Sequence, residues 1–141
     1  MTQLETLVRR YYGYFNARRF DDAAAFVDPQ AVFTYPVGKE HLIGRAGYRE
    51  LTRRWVEGFP NASINITTVL VPDERTVVTE WIAEGTHMGV LELPGFPALP
   101  ATGRHVRLPM REFVTMEDRR IVACRLEFDP DEMLRRLGIK P

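Results

Sequence analysis

A chain of 141 residues with 45% hydrophobic and 27% charged side chains has the balance of one globular domain and can bury about two-thirds of its unfolded surface. The single cysteine, Cys124, excludes an intrachain disulfide and any multi-cysteine metal site. The 19 basic and 19 acidic side chains cancel to zero formal charge, which removes the electrostatic footprint of a nucleic-acid binder and leaves the paired arginines to solvated faces.

The start, Met1-Thr2-Gln3-Leu4-Glu5, has no basic region leading into an apolar run, so no signal peptide is expected. No stretch approaches the ~20 apolar residues of a membrane span. A cytoplasmic protein is expected, folded as a single domain over 1–141.

Leu4, Leu7, Val8, Tyr11, Tyr12 and Phe15 recur at helical spacing and predict an amphipathic first helix over 2–15. Phe20 to Val27 predicts a short second helix, capped by Asp21 or Asp22 and running to Asp28-Pro29. Ala31 to Tyr35 reads as a strand broken by Pro36-Val37-Gly38. A third helix near Arg45–Phe59 would turn Tyr48, Leu51, Trp55 and Phe59 inward, with Gly58 and Pro60 ending it.

Strand character follows over 63–70, 76–88, 105–116 and 120–128, with turns at Pro72–Arg75 and Glu117–Arg119. Between the second and third of these strands lies a Pro/Gly-rich excursion, Leu93 to Gly103, too long for a tight hairpin and suited either to cover a pocket or to meet a second subunit. Asp129 and Pro130 stand as N-cap and first residue of a last helix, closed by Gly138. Three helices interleaved with one strand, then four long strands and a short helix, predict an α+β fold. Helices close the open side of a curved mixed or antiparallel sheet, and one apolar pocket lies inside the cone.

These segments carry a resemblance. Arg10-Tyr11, Phe15-Asn16-Ala17, Phe20-Asp21, Pro36-Val37-Gly38 and the Gly44–Glu50 stretch are similar to ketosteroid isomerases. Gly85–Gly89, Ala101–Val106, Arg120–Val122, Phe128-Asp129 and Leu134–Gly138 resemble SnoaL-like polyketide cyclases. The chain thus resembles the SnoaL-like and ketosteroid isomerase-like branch of the NTF2-like superfamily over nearly its whole length. That implies a cofactor-free, metal-free acid–base enzyme cyclising, isomerising or dehydrating a small polyketide-, terpenoid- or steroid-like molecule. The alternative it leaves open is a non-catalytic module binding a small molecule or a protein.

Acid–base work in such a pocket needs an ionisable group within apolar walls and a donor for a developing oxyanion. Glu112 alternates onto one face with Val106, Leu108, Met110 and Val114, where a carboxyl is costly to bury without a partner or a task. By the resemblance it falls at or beside the oxyanion-hole acid of ketosteroid isomerases, and Tyr11 matches their donor tyrosine; the two are expected to meet. Asp129 or His87 would be the second acid–base partner, with His87 at a strand-end rim. Tyr35, Phe33, Trp55, Trp81, Met110, Leu126 and Phe128 would line the substrate site.

The resemblance also marks departures. Tyr35 stands where ketosteroid isomerases keep their base, Leu126 where the cyclases keep an acid/base aspartate, and Glu80-Trp81-Ile82 where limonene epoxide hydrolases carry Arg-x-Asp. Arg107, Arg111, Phe113 and Arg125 would share the outer sheet face, through which a homodimer is expected. Neither nucleic acid nor membrane is an expected partner.

Overall fold

The computed structural model describes residues 2–141; Met1, part of the leaderless start expected above, lies outside them. Helix α1 (Gln3–Asn16) begins where the Thr2 hydroxyl accepts the Glu5 N–H at 3.1 Å, the side-chain cap that satisfies one orphan donor of a first turn. Its apolar stripe buries Leu7, Val8, Tyr11, Tyr12 and Phe15.

Helix α2 is shorter than expected, Phe20–Ala24, and strand β1 (Val27–Thr34) starts where the sequence suggested more helix. Neither Asp21 nor Asp22 caps α2. Arg19 holds the cap position without a side-chain bond, and both aspartates lie in the first turn. There they suit the helix dipole, and they pair with Arg49 at 3.1 Å and Arg19 at 2.7 Å. A two-residue strand, β2 (Leu42–Ile43), has no sequence signal of its own and precedes α3 (Gly44–Gly58).

Strands β3 (Ser63–Leu70), β4 (Thr76–Thr86), β5 (His105–Glu117) and β6 (Arg120–Glu127) form the expected meander. They join β1 and β2 in a six-stranded sheet of order β2-β1-β6-β5-β4-β3. Only β1 and β6 pair in parallel; every other neighbouring pair is antiparallel. The sheet is mixed, curved and unclosed, with α1 and α3 over its concave face. The β5–β6 hairpin turns on Asp118 and Arg119, both at positive φ (48° and 64°), the backbone that matches strand twist in a two-residue loop.

Helix α4 (Pro130–Arg136) has Asp129 as N-cap, accepting from Asp131 N–H at 3.0 Å and Glu132 N–H at 3.2 Å. No described helix is long and apolar enough to cross a membrane.

The 93–103 excursion does not cover the pocket, since none of its residues lines it. Leu91, Leu93 and Leu99 are buried, and Leu91 and Leu99 exchange backbone hydrogen bonds at 3.0 and 2.9 Å. A Cβ on Gly95 would stand 2.6 Å from the Val37 carbonyl carbon, so the excursion is fastened against the 36–38 loop by direct backbone contact. Met88 and Gly89 donate to the Gly58 carbonyl at 3.0 and 3.2 Å, so this segment closes the C-terminal end of α3.

Candidate active site

Strand β5 is central in the sheet, and Glu112 sits near its middle, directly opposite Thr79 of β4 and Leu126 of β6. Residues directly opposite in antiparallel pairs share a face, so these three side chains project into the concave side. Above them lie Tyr11, Tyr12 and Phe15 of α1 and Tyr48, Leu51, Thr52 and Trp55 of α3. Phe33 and Tyr35 close one side, Trp81 and Ala83 the floor, and Ala62, Ser63 and Ile64 the end by β3. The cavity opens to solvent at its mouth, and its empty space counted together with that open solvent is about 740 Å³.

Among the described residues Glu112 is the only carboxylate lining this cavity, and no Lys, Arg or His lines it. Burial pushes its carboxyl up to about 7, against the pull of a hydrogen bond from Tyr12. Both causes are physical: low dielectric penalises the anion, while a donor to the carboxylate favours it. The Tyr12 hydroxyl donates to Oε1 at 2.6 Å and lies 2.7 Å from the Thr79 hydroxyl. Thr79, Tyr12 and Glu112 therefore form a relay from a fully buried hydroxyl to the cavity.

The sequence expectation paired Glu112 with Tyr11, and the bond comes instead from the next residue. Adjacent helical positions point about 100° apart, and both tyrosines fall within the buried stripe of α1, so spacing alone does not choose between them. Tyr11 does line the cavity, its ring 5.3 Å from that of Tyr48 and tilted 47° to it. Burial pushes its phenol well above the usual range, so it stays protonated.

Tyr35, Phe33, Trp55, Trp81, Met110 and Leu126 all line the cavity. Phe128 does not. It packs behind the wall at 6.3 Å from the Tyr35 ring and 6.4 Å from Phe96. The Tyr35 hydroxyl accepts the Trp55 indole N–H, while Glu80 points outward to Arg111 at 3.2 Å.

Asp129 and His87 lie outside the cavity. Asp129 is exposed and its carboxylate is engaged by the α4 cap. His87 was expected at a rim and is instead fully buried (0% exposed), stacked at 5.2 Å on Phe59 with Nδ1 3.0 Å from the Thr102 hydroxyl. The β4 strand ends beneath the excursion rather than in solvent, which is what buries it.

The sequence reading missed Tyr12 as the carboxyl's donor, Thr79, Tyr48 as a wall residue, and Cys124. Thr79 had a signal, as a hydroxyl interrupting the apolar face of Val77 and Trp81. Among the described residues no cluster of three His, Cys, Asp or Glu is arranged to hold a metal.

Known proteins were compared with this geometry. The family model described as SnoaL-like domain matches residues 8–124. No curated protein matches the sequence. The structure is similar to that of a proposed SnoaL-like polyketide cyclase from Jannaschia sp. CCS1, at 18% identity and TM-score 0.84, covering 99% of this chain and 94% of that one. It is also similar to a proposed polyketide cyclase from Xanthomonas campestris pv. campestris, at 23% identity and TM-score 0.79, covering 95% and 96%. IdmH, a proposed polyketide cyclase from Streptomyces antibioticus, is 26% identical with TM-score 0.76, covering 98% of this chain and 100% of that chain. The match over 8–124, on a curved mixed sheet whose helices enclose a single-carboxyl pocket, places this chain in the SnoaL-like domain family.

Proposed function

We propose that the chain is a cofactor-free acid–base enzyme that moves a proton on a small lipophilic ketone of polyketide-, terpenoid- or steroid-like build. The observation that carries this is Glu112: a carboxyl titrating at about 7, hydrogen-bonded by Tyr12, opening into an otherwise apolar cavity. A group poised near neutral pH can both take and return a proton.

The reaction is redox-neutral. The Glu112 carboxylate removes a proton from a carbon beside a carbonyl, and the C–H electron pair passes into an enolate. The enolate carbon then attacks a second carbonyl of the same molecule (cyclisation), recovers the proton at another carbon (isomerisation), or expels a β-hydroxyl as water (dehydration). Glu112 returns the proton in each case. Tyr11, protonated and on the cavity wall, is the proposed donor to the enolate oxygen.

Where the family resemblance sets the cyclase aspartate, Leu126 stands, and its register partner is Glu112. The acid is thus at the same height one strand over, which supports the same chemistry from a neighbouring position. Glu112→Gln keeps the shape and removes the titration. It is expected to cut turnover at least 10²-fold on a panel of such ketones and to erase a limb near pH 7 from the kcat/KM profile. Unchanged turnover would sink the role.

A second reading, a non-catalytic small-molecule binder, is favoured by one observation: no second carboxylate or histidine lines the cavity. Glu112→Gln would then change ligand affinity with no turnover to lose.

A homodimer through the outer sheet face and a cytoplasmic location belong to the same proposal. That face holds Arg125 over the Phe113 ring at 4.3 Å, with Arg111–Glu80 and Arg125–Glu127 ion pairs at 3.2 and 2.9 Å. Sedimentation at micromolar concentration should return the mass of two chains, and a monomer there refutes the dimer.

A further inference from the structure

Thr79 is fully buried (0% exposed) and does not line the cavity, so no ligand held there touches it. It stands directly opposite Glu112 in the β4–β5 register. Its hydroxyl lies 2.7 Å from the Tyr12 hydroxyl, which in turn donates to Glu112 Oε1 at 2.6 Å. A hydroxyl inside a sheet is costly to bury unless a partner takes it, and valine has the same shape without it.

A phenol has one proton to give. Tyr12 gives its proton to Glu112, so in the 2.7 Å contact Thr79 is the donor and the Tyr12 oxygen the acceptor. The hydrogen bonds therefore run in one direction, from Thr79 through Tyr12 to the carboxylate. Bonds in such a series polarise one another, and those that end on a charge are the strong ones. Thr79 is β-branched and stiff at χ1, and the strand register fixes where it stands. With no exposure at Thr79, the series has no exit to solvent and orients a proton rather than conducting one.

No charged side chain shares this task. The titratable groups around Glu112 are Tyr11 and Tyr12 of α1, Tyr35 beyond β1, Tyr48 of α3 and Cys124 of β6. Burial raises all five above their ordinary values, so they stay protonated and neutral. The Glu112 anion is thus held by a hydroxyl dipole, and among the described residues Tyr12 supplies it.

We propose that Thr79 is a positioning residue for Glu112: its hydroxyl donates to the Tyr12 oxygen and so commits the single Tyr12 proton to the carboxylate. This rests on Glu112 being the acid–base group of the proposed function. When Glu112 takes up a proton the series can reverse, the carboxyl O–H donating to Tyr12 and Tyr12 to Thr79, because a hydroxyl both donates and accepts. The bonds to the anion are the stronger set, so loss of the Thr79 hydroxyl disfavours the carboxylate.

Thr79→Val keeps the shape and removes the hydroxyl; Thr79→Ser keeps the hydroxyl and removes the methyl. The Glu112 titration is followed by carbon NMR without substrate. In Thr79→Val the ionised fraction of Glu112 at pH 6 should fall about two- to fourfold, and Thr79→Ser should retain most of it. In a Tyr12→Phe background Thr79→Val should move the titration no further, because Thr79 reaches Glu112 only through Tyr12. There valine replaces a hydroxyl already left unmatched, so the double variant should melt no lower than Tyr12→Phe. With a ketone that is turned over, kcat at pH 6 should fall by the same factor in Thr79→Val while KM stays unchanged.

An unmoved Glu112 titration in Thr79→Val overturns the proposal. An equal shift in the valine and serine variants overturns it too, since packing of the methyl is then the cause. So does a valine effect that persists without the Tyr12 hydroxyl, or a lower melting temperature of the double variant, since either reveals another partner for Thr79. The titrations need no turnover. Undiminished Glu112→Gln turnover sinks the acid–base reading and leaves them as they are, whereas an unmoved titration sinks this proposal and leaves that reading standing.

Discussion

Burial in the apolar wall sets the ionisation of Glu112, and Tyr12 tempers it. Its hydroxyl favours the carboxylate and so holds the carboxyl below where burial by itself would push it. Tyr12→Phe removes that donor, and the pKa of Glu112 should move up from about 7, seen as an upward shift of the carboxyl titration by carbon NMR. The same change strips the Thr79 hydroxyl of its partner, which should cost about 1–2 kcal/mol of stability by denaturant unfolding. A carboxyl interrupting the apolar alternation of β5 was visible in the sequence, so Glu112 was legible. Its partner was not, because two neighbouring tyrosines share the buried stripe of α1 and only the helix's rotation against the sheet decides between them.

At the scale of elements, α4 shows how a cap accounts for a carboxylate. Asp129 accepts two backbone N–H groups and lies outside the cavity. Asp129→Ala should therefore cost about 1 kcal/mol, and Asp129→Asn, which can also cap, far less. Turnover should be unchanged in the asparagine variant, and a large loss there would restore a catalytic role. The Asp-Pro start of this helix was legible because its signals are local. The two-residue β2 and the early end of α2 were not, because strand pairing with β1 and β6 overrides a run of helix-compatible residues. The 93–103 segment was legible as an excursion, but not that residues 88–104 cover the α3 end and His87. Burial lowers the His87 pKa from its ordinary 6.5. A histidine held neutral in the fold and charged when unfolded stabilises above pH 6.5, and that contribution is lost as pH falls below it. Protection factors of the amides of residues 88–104, corrected for the intrinsic pH dependence of exchange, should fall as pH drops from 6.5, and pH-independent protection would remove His87 from that role.

For the molecule as a whole, Glu112 acts with the opposite sign. Its folded pKa is raised, so the fold binds more protons than the unfolded chain between about 4.5 and about 7. Its contribution is fully present below pH 4.5 and lost as pH rises through 7, on the order of 3 kcal/mol. Denaturant midpoints for the protein and for Glu112→Gln should therefore diverge across that window, with the glutamine variant lacking the decline. Between pH 4.5 and 6.5 the Glu112 and His87 effects oppose each other.

The sequence by itself determined the α+β class, four of the six strands closely, the cap of α4 and the presence of a carboxyl on the concave face. Those rest on period, turn chemistry and alternation, which are local. Only the tertiary structure decided that Tyr12 holds Glu112, that His87 is buried away from the site, and that Phe128 stands behind the wall. Each of these depends on how elements distant in the chain are rotated and registered against one another, and no local pattern carries that information.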